Sequence, residues 1–127
     1  MVKTDLQLTK NFKLSEFVNK SGLRLDQVTT QQIANLTRLA RRLQELRDRL
    51  GKPIRINSAL RSVAKNRAVG GARGSYHLTG LAADVQISAA DQRALGLEKN
   101  WIGGYGRAGN WCHLDVRGKR ARWKYAI

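Results

Sequence analysis

The sequence predicts an α+β fold in which a long amphipathic helix packs on one face of a small, mostly antiparallel sheet. Three observations carry this prediction. A helical stripe of apolar residues runs over 30–50, short segments further on alternate with period two, and the only proline, Pro53, leaves no Pro-rich linker to divide the chain. At 127 residues and 42% apolar composition, the chain suits one domain, 1–127, with one modest core, and is too apolar for a disordered polymer.

The elements follow in order. Residues 1–28 hold short apolar pieces, and Phe17 and Val18 are placed on a short helix that begins near Ser15 and ends at Gly22. Over 30–50, Ile33, Leu36, Leu39, Ala40, Leu43, Leu46 and Leu50 recur at steps of three and four. Thr29 or Thr30 can cap the start, and Gly51 fits just past the end. Arg38, Arg41, Arg42, Glu45 and Arg49 fall mostly off the stripe, which makes that face solvated and basic; helix propensity accounts for them, with anion binding as the sharper alternative. Residues 54–57 alternate as a strand, 62–69 form a short helix, and Gly70, Gly71 and Gly74 mark a loop. Residues 81–87 read as a strand with Ala83, Val85 and Ile87 on one face and Ala82, Asp84 and Gln86 on the other. A helix is expected over 89–97, started by Ser88 and Asp91. The last strand spans 111–117, with Cys112, Leu114 and Val116 facing one way and Trp111, His113, Asp115 and Arg117 the other.

Composition narrows the function. One cysteine cannot form an internal disulfide, and alternation places Cys112 on the apolar face as a small buried hydrophobe. No apolar run approaches the ~18–20 residues of a transmembrane helix, and the first residues lack the apolar core of a secretory signal, so neither is expected. With 24 Lys+Arg against 9 Asp+Glu the net charge is +15, which calls for a polyanionic partner: nucleic acid, an anionic membrane face or an anionic cell wall. The basic residues are spread over several elements without a nucleic-acid-reading motif, so no specific nucleic acid is expected.

The two histidines stand out. His77 lies in Ser75-Tyr76-His77-Leu78-Thr79-Gly80-Leu81-Ala82-Ala83-Asp84, and His113 in Trp111-Cys112-His113-Leu114-Asp115. If the 81–87 and 111–117 strands are sheet neighbours, Asp84 and His113 project from the face opposite the apolar one, and His77 can fold over it from the preceding turn. Two imidazoles and a carboxylate suffice for a catalytic zinc site with a fourth position for water. Spacing alone leaves hydrogen-bonded histidines and a turn-capping Asp84 as open alternatives.

The string S-x-H-x-x-G-x-A-x-D followed by W-x-H-x-D resembles the zinc D-alanyl-D-alanine carboxypeptidase family, which includes phage L-alanyl-D-glutamate endolysins and bacterial murein endopeptidases. The resemblance extends to Asn11-Phe12-Lys13-Leu14-Ser15-Glu16-Phe17, Ile56-Asn57-Ser58-Ala59-Leu60-Arg61, Asn66-Arg67-Ala68-Val69-Gly70-Gly71-Ala72, Gly104-Tyr105-Gly106, His113-Leu114-Asp115-Val116-Arg117 and Arg122-Trp123. It thus covers about residues 11 to 123, in order.

The resemblance implies that His77, Asp84 and His113 ligate Zn2+ on the sheet face away from the long helix. It implies that Arg61 holds a carbonyl oxygen or substrate carboxylate, and that Ser75 contacts substrate or orients the site. Tyr105 and Trp111 are expected to line the cleft, with core or edge packing as their alternative. Several members carry an Asp or Glu three residues before the last His, or a His two before it, as general base. Here those positions are Asn110 and Trp111, which leaves Asp115 as base or as a hydrogen-bonding support for an imidazole, with Asp91 and Glu98 as more distant acids. The implied activity is hydrolysis of a stem-peptide amide next to a D-residue in peptidoglycan. The expected setting is phage lysis: a monomer held in the host cytoplasm until release, then drawn to the anionic wall by arginines of 30–50 and by Arg117, Lys119, Arg120, Arg122 and Lys124. The alternative is a non-catalytic zinc-containing binding module of the same fold, as in hedgehog-type domains.

Overall fold

A computed structural model describes residues 4–125. Helix α1, Leu14–Val18, packs beside the long helix α2, Thr30–Leu50. Strand β1 is Arg55–Ser58, α3 is Val63–Ala68 and β2 is Ala82–Gln86. Helices α4, Ala89–Ala94, and α5, Leu97–Asn100, precede β3, Gly104–Arg107, β4, Cys112–Asp115, and β5, Ala121–Lys124.

Local chemistry sets the ends of α2. The Thr29 hydroxyl accepts from the Gln32 amide at 3.0 Å, and the Gln32 side chain accepts from the Thr29 amide at 3.0 Å, so two otherwise orphaned donors are satisfied. Gly51 closes the helix at φ 69°, a left-handed conformation that costs glycine little. Leu36, Leu39, Ala40, Leu43 and Leu46 are buried, with Ile33 and Leu50 at the margins of the same cluster. Each large aliphatic chain so buried contributes about 1.5–3 kcal/mol.

The sheet order is β1-β2-β4-β3-β5, antiparallel throughout except for the parallel β3–β5 pair. In the β2–β4 register Ala83 lies opposite Leu114 and Val85 opposite Cys112; these four join the α2 stripe in the core. One residue out of step, Asp84 lies opposite His113, so both leave the sheet on the other face. The fold is the expected α+β arrangement, with a candidate polar site behind the helix-packed sheet.

Three details differ from the sequence reading. The first helix stops at Val18, well before Gly22. The helix expected over 89–97 is two short ones, broken where Gly96 turns at φ 67°. Two strands went unrecognised, β3 and β5, because Gly-Tyr-Gly-Arg and Ala-Arg-Trp-Lys carry weak strand propensity. The β3 glycines earn their place through non-local contacts. A Cβ on Gly104 would run into the Asp115 carboxylate, and one on Gly106 into the Trp123 indole. Gly104→Ala is therefore expected to destabilise the protein by about 1–3 kcal/mol in chemical denaturation, against no effect if the strand merely tolerates glycine.

Many basic residues are tied into the fold. The Arg122 guanidinium gathers the carbonyls of Leu97 and Glu98 within α5 and of Trp101 and Gly103 just beyond it. Arg38, Arg42, Arg49 and Arg120 likewise donate to main-chain carbonyls, of Val116, Ile102, Leu95 and both Glu98 and Lys99. The net charge thus overstates how many cations are free to meet a polyanion.

Candidate metal centre and cleft

His77 sits on a single 3-10 turn, Tyr76–Leu78, that hangs over the polar face of β2. The Ser75 hydroxyl caps this turn by accepting from the His77 amide at 3.2 Å, and the Arg61 amide donates to the His77 carbonyl at 3.0 Å. Gly80 lets the chain turn back into β2 at φ 81°, where a Cβ would press against Leu36.

Hydrogen bonding fixes which nitrogen of each imidazole is bare. His77 Nδ1 lies 2.6 Å from the Ala59 carbonyl, which can only accept, so Nδ1 carries the hydrogen and Nε2 presents its lone pair. His113 Nε2 lies 2.7 Å from Asp115 Oδ2, an ionised acceptor, so Nε2 carries a hydrogen and in the neutral ring the bare nitrogen is Nδ1. Both bare nitrogens face Asp84 Oδ1, at 3.4 Å from His77 and 3.3 Å from His113.

That oxygen is buried and has no hydrogen-bond partner among the described residues. Three electron-rich atoms converging without a proton between them repel one another unless a cation lies among them. Donors bonded at ~2.0–2.1 Å to a tetrahedral centre stand about 3.3–3.4 Å apart, which the two measured separations match. The three donor atoms all lie within 4.8 Å of one another, so the set could hold a metal ion. Burial opposes ionisation of Asp84, and what holds its carboxyl well below the usual carboxylate range is hydrogen bonding and positive charge from protonated His113 and His77, a role that falls to a bound cation when those nitrogens are bare. Burial likewise opposes charge on His113, yet hydrogen bonds to Asp115 and Asp84 raise its pKa, so a proton on Nδ1 and a metal ion compete for the same position. The pocket favours positive charge at its centre.

Around this cluster lies a cleft of about 550 Å³. Arg61 lines one side: its Nη2 reaches Asp84 Oδ2 at 3.3 Å, its Nη1 the Asn66 side-chain oxygen at 3.3 Å, and its Nε the Ser58 hydroxyl at 3.4 Å. Asn66, itself buried, donates to the Ala72 carbonyl at 2.8 Å and so ties Arg61 to the glycine-rich lip over 70–75. The other wall is aromatic. The Trp123 ring lies 5.0 Å from the His113 ring, and Tyr125 lies 4.8 Å from Trp111.

The structure therefore brings together His77, Asp84, His113, Arg61, Ser75 and Trp111. It does not bring Tyr105 to them. Tyr105 pairs with Leu114 across β3–β4, so its side chain leaves the sheet on the core face, where its hydroxyl donates to Gln92 Oε1 at 2.6 Å. Burial, with Cys112 and Glu98 nearby, pushes its pKa up to about 12, and it lines a separate cleft of about 530 Å³. Asp115 is fully buried beside the cluster rather than open to the cleft. Its Oδ2 meets His113 Nε2 at 2.7 Å and Arg117 Nη2 at 2.8 Å. Its Oδ1 accepts from the Gly104 amide at 2.8 Å, from Arg117 Nε at 2.8 Å and from the Arg117 amide at 3.2 Å. Asp91 pairs with Lys52 at 2.7 Å and Glu98 with Arg122 at 3.2 Å; neither lines the cleft. Cys112 is buried on the core face, and burial raises its thiol pKa strongly.

Sequence reasoning missed Tyr76, Arg117, Trp123 and Tyr125 as cleft residues. Alternation from His113 through Asp115 already placed Arg117 on the polar face. Trp123 needed the β3–β5 pairing, which sets it opposite Gly106.

Comparison with known proteins accords with this geometry. A family model described as Peptidase M15 matches residues 10–115, a span that contains the whole histidine–aspartate cluster and Arg61. No curated protein sequence matches the chain. No helix among the described residues is long and apolar enough to cross a membrane. With most of its length matched and two histidines and an aspartate converging in its cleft, the chain belongs to the peptidase M15 family of zinc D-alanyl-D-alanine carboxypeptidase-like metallopeptidases.

Proposed function

We propose that the chain is a single zinc-dependent domain that hydrolyses a stem-peptide amide of peptidoglycan next to a D-residue, as a phage lysis enzyme. The observation that carries the metal-dependent part is the partnerless Asp84 Oδ1 set between two bare imidazole nitrogens. His77 Nε2, Asp84 Oδ1 and His113 Nδ1 are the proposed ligands. Zinc, when bound there, supplies Lewis acidity and a water of lowered pKa.

The chain's own residues do the rest. The Ala59 carbonyl and Asp115 hold the two imidazoles in the ligating tautomer. Arg61, with its fork directed by Ser58, Asn66 and Asp84, offers fixed positive charge where the scissile carbonyl oxygen gains charge. The lip over 70–75 and the aromatic wall flank the substrate. Asp115, with both oxygens engaged, is assigned the support of His113 rather than the removal of a proton from water. The substrate lies in the cell wall, and the charge of +15 favours accumulation at that anionic surface.

A second reading has its own support: a zinc-containing binding module without turnover. Asn110 and Trp111 stand where relatives carry a base, and Asp84 is the only carboxylate lining the cleft among the described residues. Mass spectrometry of purified muropeptides incubated with the zinc-loaded protein separates the two. New fragments split at one amide are the expected result, and their masses identify the bond; unchanged muropeptides would leave the binding module.

A further inference from the structure

We propose that Arg117 forms a carboxylate-binding subsite in the cleft, beside the candidate metal centre. The identity of the ligand, a free carboxylate of a stem peptide, rests on the peptidase reading; the existence of the subsite rests on the geometry alone.

The Arg117 guanidinium is held on one edge by Asp115 and lies against two aromatic rings. Its Nε and Nη2 form a parallel fork onto Asp115 Oδ1 and Oδ2, each at 2.8 Å. The Tyr76 ring lies 4.5 Å from its central carbon and the Trp123 ring 5.3 Å, both within cation–π range. The remaining edge, at Nη1, makes no hydrogen bond among the described residues. The group lines the cleft with 19% of its side chain exposed, whereas Asp115 is fully buried. Asp115 is moreover shared, since it also balances His113. What faces the cleft is a planar, permanently charged donor edge that is already ordered and only partly neutralised.

Such an edge selects a planar anion. A carboxylate matches the guanidinium fork in two parallel hydrogen bonds, and the rigid setting spares the entropy of ordering the side chain on binding. The subsite also adjoins the candidate metal centre from two sides. Tyr76 immediately precedes His77, and the Trp123 ring lies 5.0 Å from that of His113. A peptide carboxylate held by Arg117 therefore lies alongside any bond presented to the metal ligands. This replaces the expectation that Arg117 is a free wall-tethering cation.

The test is a binding comparison that needs no turnover. The zinc-loaded protein is titrated with N-acetyl-D-alanine, with its C-terminal amide and with inorganic phosphate, and binding is followed by tryptophan fluorescence and calorimetry. The wild type is expected to prefer the acid over the amide by about 10–100-fold, the scale of a charge-assisted hydrogen bond. In Arg117→Gln, at wild-type zinc content, that preference should fall to a few-fold or less, whereas a purely structural arginine would weaken acid and amide alike. If Arg117→Gln fails to fold, Tyr76→Leu removes one of the two rings against the guanidinium without touching Asp115 and should lower the preference several-fold. A preference unchanged in the folded variants overturns the subsite, and phosphate binding as tight as the acid overturns the carboxylate assignment. A protein that prefers the acid yet leaves muropeptides intact keeps the subsite and removes the peptidase; one that cuts muropeptides without the preference does the reverse.

Discussion

Alanine at His77 or at His113 is expected to take the protein from about one bound zinc per chain to none, and hydrolysis with it. Three protein ligands are the usual complement of a catalytic zinc site, and either change leaves one imidazole and one carboxylate. Elemental analysis after dialysis reads the metal directly, and full retention in both variants would sink the ligand assignment. Asp115→Asn should behave differently. The amide keeps the shape but loses the charge that holds the proton on His113 Nε2 and leaves Nδ1 bare. Zinc affinity should fall by ~10–100-fold while the three ligands remain, and excess zinc should restore most of the activity. A loss of kcat that zinc does not repair, at full metal content, would instead return Asp115 to the role of base.

Arg61→Ala is expected to lower kcat by ~10²–10³-fold with zinc content intact, because it removes positive charge placed where the substrate carbonyl becomes anionic. The geometry also predicts that Arg61→Lys does not rescue. The guanidinium meets the Ser58 hydroxyl, the Asn66 amide oxygen and Asp84 Oδ2 with three different nitrogens, and one ammonium cannot span that spread while still pointing into the cleft. Steady-state kinetics on a defined muropeptide, with metal content measured in parallel, decides the matter. Turnover at the wild-type rate in Arg61→Ala would reduce the residue to a brace for the loop.

The sequence by itself determined whatever depends on near neighbours along the chain. Helix α2 follows from its stripe, its Thr29–Gln32 cap and Gly51, all interactions within a turn or two. The shared face of Asp84 and His113 follows from the two-residue period of two strands, once those strands are neighbours. Tertiary structure alone decided what depends on strands meeting across the chain. In β3 the Asp115 carboxylate and the Trp123 indole fill the space left bare by Gly104 and Gly106, a fit between distant segments that no local pattern in β3 or β5 displays. The β3–β4 register sends Tyr105 to the core face. Packing saturates Asp115 with partners, turns Arg122 inward onto main-chain carbonyls and leaves one edge of Arg117 open to the cleft. Period and propensity are local properties, but the fate of a charged side chain depends on which distant backbone and side-chain groups reach it, and only the folded register fixes that.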